Sequence, residues 1–200
     1  MAHLGRYTLS VRVDRGEDAP CFIAFDSARV PVSLRAAPPL ASASAEWLKR
    51  FIAWGTRASA LEHPSILGLR EVSVDQGRPF AVYAPEFGVP LSRLIEFSHL
   101  EPERWNRLAA DLLDGMDHLH ARGVCVGPAT ARRVLASFRD RFLWVDPSAG
   151  ELSLIPEPEL SPASVSPESD LATLGAILES CRPACVPREP VAVLLHDDPK

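Results

Sequence analysis

The sequence predicts an α+β protein in two lobes, a strand-rich first lobe with one helix and a shortened helical second lobe. Three observations predict it. Short runs before residue 88 alternate apolar and polar side chains, as half-buried strands do. One segment among them carries its apolar residues at helical spacing instead. After Gly88 the alternation gives way to longer amphipathic stretches.

The first strand is Tyr7 to Val13, where Tyr7, Leu9, Val11 and Val13 share a face. The turn-forming stretch Asp14 to Pro20 leads to a return strand, Cys21 to Phe25, and a further turn to a third, Val30 to Leu34. An Ala/Pro/Ser-rich loop, Ala36 to Ala43, precedes a helix with Ser44 as its N-cap. Trp47, Phe51, Trp54, Ala58 and Leu61 form the apolar stripe of that helix. Leu69 to Val74 and Phe80 to Ala84, joined by Asp75-Gln76-Gly77, complete five strands. In the second lobe Glu101-Pro102 opens a long helix, with proline in the first turn where its missing N–H costs little. Its stripe is Trp105, Leu108, Leu112, Met116 and Leu119, and Gly123 ends it in a left-handed cap. Two short strands, Arg133 to Ala136 and Phe142 to Val145, flank Arg139-Asp140-Arg141. A polar loop, Pro147 to Pro167, leads to a last helix, Asp170 to Glu179, and Val191 to Asp198 is faintly helical. The expected lobes are residues 1–87 and 88–200.

A chain of 200 residues, 46% of them hydrophobic, can bury a core and fold alone. A formal net charge of -5 argues against nucleic acid and acidic membrane surfaces, which select basic patches. The densest basic cluster, Arg132, Arg133, Arg139 and Arg141, is interrupted by Asp140 and reads as a solvated face. No signal segment opens the chain and no apolar run suits a membrane helix, so a cytoplasmic protein with reduced thiols is expected. Cys181 and Cys185, with His196 downstream, lack a fourth ligand for zinc, and no metal or cofactor is expected.

Several short stretches, in order, carry a resemblance. They are Arg6-Tyr7, Leu61-Glu62-His63-Pro64-Ser65-Ile66-Leu67, Gly77-Arg78-Pro79-Phe80, Gly88 with Leu91 and Leu94-Ile95, Asp117-His118-Leu119-His120-Ala121-Arg122-Gly123-Val124, and Ser169-Asp170-Leu171-Ala172-Thr173-Leu174-Gly175. Together they resemble a bacterial Hanks-type Ser/Thr protein kinase domain from about Arg6 to Gly175. The resemblance implies a two-lobed protein kinase-like fold and tells which positions would carry phosphoryl transfer.

Those positions depart from the family. The phosphate-covering loop corresponds to Asp14-Arg15-Gly16-Glu17-Asp18-Ala19, where only Gly16 survives among acidic residues. Arg35 stands at the position of the phosphate-gripping Lys, and Trp54 at that of its Glu partner. Arg35 either lies over the Trp54 ring or is solvated beside a Trp54 that is simply core. Where the family reads His-Arg-Asp, the chain reads Val126-Gly127-Pro128, with Thr130 at the Lys position and Arg133 at that of a magnesium-binding Asn. Asp146 alone remains of the metal ligands, in Asp146-Pro147-Ser148, and reads better as a turn residue. Gly127 also removes the arginine that would receive a phosphorylated loop, leaving Ser153, Ser161, Ser164 and Ser166 without that partner.

The expectation from this reading is a pseudokinase, not an enzyme, that binds another protein as a scaffold or regulatory subunit. The degenerate nucleotide cleft would comprise Gly16, Arg35, Trp54, Arg133 and Asp146, with no nucleotide expected to bind there. The alternative is a regulatory domain that still holds a nucleotide, with Arg35 and Arg133 as two cations facing it.

Overall fold

In the computed structural model the described residues are 2–13, 20–37, 45–127, 129–147 and 166–185. Gly16, Ser44, Pro128, Ser153, Ser161, Ser164, His196 and the stretch Val191 to Asp198 lie outside them. The described chain divides into two compact units, one of residues 2–62 and 67–87 and one of 63–66, 88–147 and 166–185.

The first unit is a six-stranded antiparallel sheet in the order β1-β2-β3-β4-β6-β5 with one helix. Its strands are β1 (His3–Leu4), β2 (Tyr7–Arg12), β3 (Cys21–Phe25), β4 (Pro31–Ala36), β5 (Leu69–Asp75) and β6 (Arg78–Tyr83), and α1 (Ala45–Ala58) follows β4. The five expected strands are present, and β1 is an addition. It pairs His3 with Thr8 and Leu4 with Tyr7 across a turn in which Gly5 takes a left-handed φ of 55°. A two-residue strand has no alternation to read, which is why the sequence did not announce it. Leu4, Tyr7, Ala24, Val32, Leu34, Ala36, Phe80 and Val82 form a core on one face of this sheet. On α1 the expected stripe buries Phe51, Trp54 and Ala58, with Leu61 buried beyond the helix and Trp47 half-buried. Trp47 stacks on Phe51 at 4.9 Å, and Phe51 meets Trp54 at 5.7 Å. Gly55 lets the helix approach β5, because a Cβ there would lie 2.2 Å from a Val72 methyl.

The second unit holds a three-stranded antiparallel sheet, β7 (Gly88–Pro90), β8 (Val134–Ser137) and β9 (Phe142–Trp144), with α2 (Leu91–Phe97), α3 (Pro102–His120) and α4 (Pro167–Ser180). β7 escaped the sequence reading because it is three residues long and runs straight into α2. Gly88 permits its pairing, since a Cβ there would lie 2.2 Å from the Ala136 carbonyl oxygen. All five stripe residues of α3 are buried, and Gly123 ends that segment in a left-handed turn with φ 67°. The Trp105 indole donates to the Leu178 carbonyl, tying α3 to α4, and the Trp144 indole donates to the Leu112 carbonyl. The last helix starts three residues before its expected first residue, at Pro167. Ser166 and Ser169 bond each other's backbone N–H in a capping box.

Candidate functional site

The residues matched to catalytic positions fall in both units. In the first, Arg35 sits on β4 between its cross-strand partners Cys21 and Ala81, half-buried rather than fully solvated. Trp54 is 1% exposed and belongs to the core, as the stripe predicted. Gly16 lies outside the described residues.

In the second unit the chain leaves α3 through Gly123, runs through Val124–Gly127, and resumes in a short 3-10 turn, Ala131–Arg133. The Thr130 hydroxyl caps that turn by accepting from the Arg132 N–H. Arg133 and Asp146 are brought together here. Arg133 is 1% exposed, and its guanidinium Nη1 donates to the Asp146 carbonyl at 3.5 Å. The Val145 N–H returns a bond to the Arg133 carbonyl at 2.8 Å. One expectation needs correction. Arg133 does not stand open to a ligand as a cation; it is buried among the residues that follow β9. Asp146 does stand at a turn, as expected, in a left-handed conformation with φ 51°, and it is only 2% exposed.

A buried polar centre lies at Asp170, which the resemblance matches without giving it a role. Asp170, 0% exposed, accepts from the Val126 N–H at 2.7 Å, the Gly127 N–H at 2.9 Å and His120 Nε2 at 2.7 Å. One carboxylate thus fixes the backbone where the resemblance places the catalytic loop, at a point where Gly127 takes a φ of 76°. The signal was available. Asp170 precedes Leu174, Ile177 and Leu178 by four, seven and eight residues, which puts it on the buried stripe of α4.

Cys125 approaches the same carboxylate, and burial first, then the charges of Asp170 and Glu168, push its thiol pKa up. His120, Cys125 and Asp170 place their ligand-type atoms within 4.8 Å of one another. Zinc does not fit the spacing found. Nitrogen and oxygen ligands at about 2.0–2.1 Å on a tetrahedral zinc lie roughly 3.3 Å apart, whereas Asp170 Oδ2 and His120 Nε2 are 2.7 Å apart. That is a hydrogen-bond distance. Elsewhere Cys181 is buried, its pKa pushed up to about 12 by desolvation, and Cys185 is exposed. No described helix is long and apolar enough to cross a membrane.

No family model and no curated protein matches the chain. Solved structures do. A double-mutant form of the Mycobacterium tuberculosis PknI kinase domain matches with a TM-score of 0.77 at 16% identity, over 94% of this chain and 78% of that one. Two further structures of the PknI kinase domain match at 0.75. One is 17% identical over 98% of this chain and 90% of that one, and the other 18% identical over 90% and 73%. The expectation that the chain is not an enzyme is corrected by these likenesses. Each neighbour is a protein kinase domain, and substitutions at matched positions do not by themselves exclude activity from that fold. What the likeness establishes is the architecture: the chain is a domain of two-lobed, protein kinase-like fold.

Proposed function

We propose that this chain acts by holding another protein, as a scaffold or regulatory subunit built on the kinase-like fold. The observation that carries the reading is the burial of Arg133 against the Asp146 carbonyl. The resemblance puts a magnesium-binding Asn at Arg133 and a second ligand at Asp146. A buried guanidinium bonded to that residue's main-chain carbonyl disfavours a divalent ion close by. It also weighs against the nucleotide-holding alternative, because a guanidinium bonded inside the unit is poorly placed to neutralise phosphates. The acidic balance of the chain favours a protein partner over nucleic acid or a membrane surface.

The test is affinity capture with the folded chain, with Trp54→Glu as the unfolded control, followed by calorimetric titration of each purified candidate with and without magnesium-ATP. The expected result is a saturable partner whose affinity is unchanged by nucleotide. Radiolabelled phosphoryl transfer, followed in the same samples, measures catalysis separately. Partner binding seen only with ATP would favour the nucleotide-holding reading. Transfer to a substrate without any saturable partner would replace the proposal with a kinase activity.

A further inference from the structure

Within the second unit, two imidazoles meet where the His63–Ile66 turn lies on α3. Their ring centroids are 4.5 Å apart and tilted by 38°. Each ring has its protonation state set by a donor. The Ser65 backbone N–H donates to His63 Nδ1 at 3.1 Å, so that nitrogen carries a lone pair and the proton is on Nε2, 3.4 Å from Asp114. The Arg122 guanidinium, which has only donors, lies 3.2 Å from His118 Nδ1, so that nitrogen also carries a lone pair. The His118 proton is then on Nε2, which is buried without a hydrogen-bond partner among the described residues. Both rings are therefore placed to accept at Nδ1 and to carry a proton on Nε2. With no lone pair on either Nε2, they are a poor metal pair despite Asp114 beside them.

What the turn holds is specific. The Ser65 carbonyl accepts from the Trp144 N–H at 2.9 Å, and Ile66 bridges Trp144 as a parallel neighbour. Gly115 on α3 makes room, since a Cβ there would lie 3.1 Å from the Ser65 carbonyl oxygen and 3.0 Å from the Trp144 ring. A proton arriving at His118 Nδ1 would replace an accepted bond with a second N–H pointed at Arg122, next to the His63 ring.

We propose that the His63–His118 pair is a pH-sensitive latch that clamps the His63–Ile66 turn to α3 and β9 while the His118 ring is neutral and loosens it when His118 takes up a proton. The charged groups facing His118 agree in sign on balance. Desolvation, then Arg122, then His63 hold its pKa below the ordinary 6.5, and Asp114 opposes them. A histidine with a depressed folded pKa contributes its full stabilisation above its unfolded pKa and loses it as pH falls toward the folded one. The latch thus weakens below about pH 6.5.

The experiment uses the whole chain. Long-range proton–nitrogen NMR should show Nε2–H tautomers for His63 and His118 at pH 8. Protection of the Trp144 amide, corrected for intrinsic exchange, should fall between pH 7.5 and pH 5, by up to about 30-fold from His118 alone. In His118→Asn, whose side-chain oxygen can still accept from Arg122, the amide should stay protected and that pH-dependent loss should shrink. An equal loss in His118→Asn, or an Nδ1–H tautomer at either ring, overturns the latch. If the variant does not fold, the wild-type titration decides, and a His118 pKa at or above 6.5 overturns it.

Discussion

His120 and Asp170, fifty residues apart, are joined by a 2.7 Å bond from the ring Nε2 to a carboxylate that is wholly out of water. The same carboxylate holds the Val126 and Gly127 N–H groups, so it organises a stretch of chain with no regular secondary structure of its own. Asp170→Ala would leave these donors without their acceptor, at about 1–3 kcal/mol for each buried group. With the Val126 and Gly127 N–H groups buried and His120 within reach of water, the expected loss of stability is at least about 2 kcal/mol by urea unfolding. Asp170→Asn, which keeps one oxygen acceptor, should lose less. Equal midpoints for Asp170→Ala and the parent would mean that water replaces the carboxylate.

Gly55 predicts a clash that helix propensity cannot offset. Alanine in a helix is worth up to about 1 kcal/mol over glycine. Against that, the new methyl would lie 2.2 Å and 2.6 Å from the two Val72 methyls and 2.9 Å from its Cβ, which cannot move without the strand. Overpacking of this kind costs about 1–3 kcal/mol. Gly55→Ala should lower the melting temperature, and Val72→Ala in the same chain should recover part of the loss. Additive effects in that double-mutant cycle would show that the helix and strand shift apart freely.

Trp54→Glu should unfold the first unit or come close to it. Removing a buried tryptophan costs about 3–5 kcal/mol, and an unpaired carboxylate in its place adds a further penalty. With Trp54 only 1% exposed and its ring against Phe51, a loss of at least about 4 kcal/mol is expected in chemical denaturation. A variant with the parent's midpoint would show that the glutamate finds water or a cation.

The sequence made long, periodic elements legible and short or polar ones obscure. The α3 stripe from Trp105 to Leu119 and the α1 stripe around Trp54 recur often enough to be unambiguous, and both are buried. β1 and β7, two and three residues long, owe their pairing to neighbours such as Tyr7 and Ala136 that local pattern does not reveal. Arg133 was misjudged because a guanidinium usually keeps its head in water. Its burial depends on Asp146, thirteen residues on, offering a carbonyl. Asp170 reads equally well as a first-turn helix acid, so its three tertiary bonds become visible only once α4 is packed.

The thiols should react in a fixed order. Burial pushes Cys181 up to about 12, so its thiolate is scarce at neutral pH, while Cys185 is exposed. With an aromatic disulfide reagent at pH 8, Cys185 should be labelled in the native protein and Cys181 only at the rate of unfolding. Peptide mapping by mass spectrometry reads the order. Early labelling of Cys181 would place local opening of the α4 C-terminus well below global unfolding.

The four residues from His63 to Ile66 have one further consequence, for how the chain can be cut. They belong with residues 88–147 and 166–185, yet the strands β5 and β6 of the other unit follow them before Gly88 is reached. A fragment starting at Gly88 would carry Trp144 without the Ser65 carbonyl that its amide bonds and without the Ile66 bridge. The second unit is therefore discontinuous in sequence. A single excision cannot isolate it intact, whereas a piece that also grafts the four-residue turn keeps the contact.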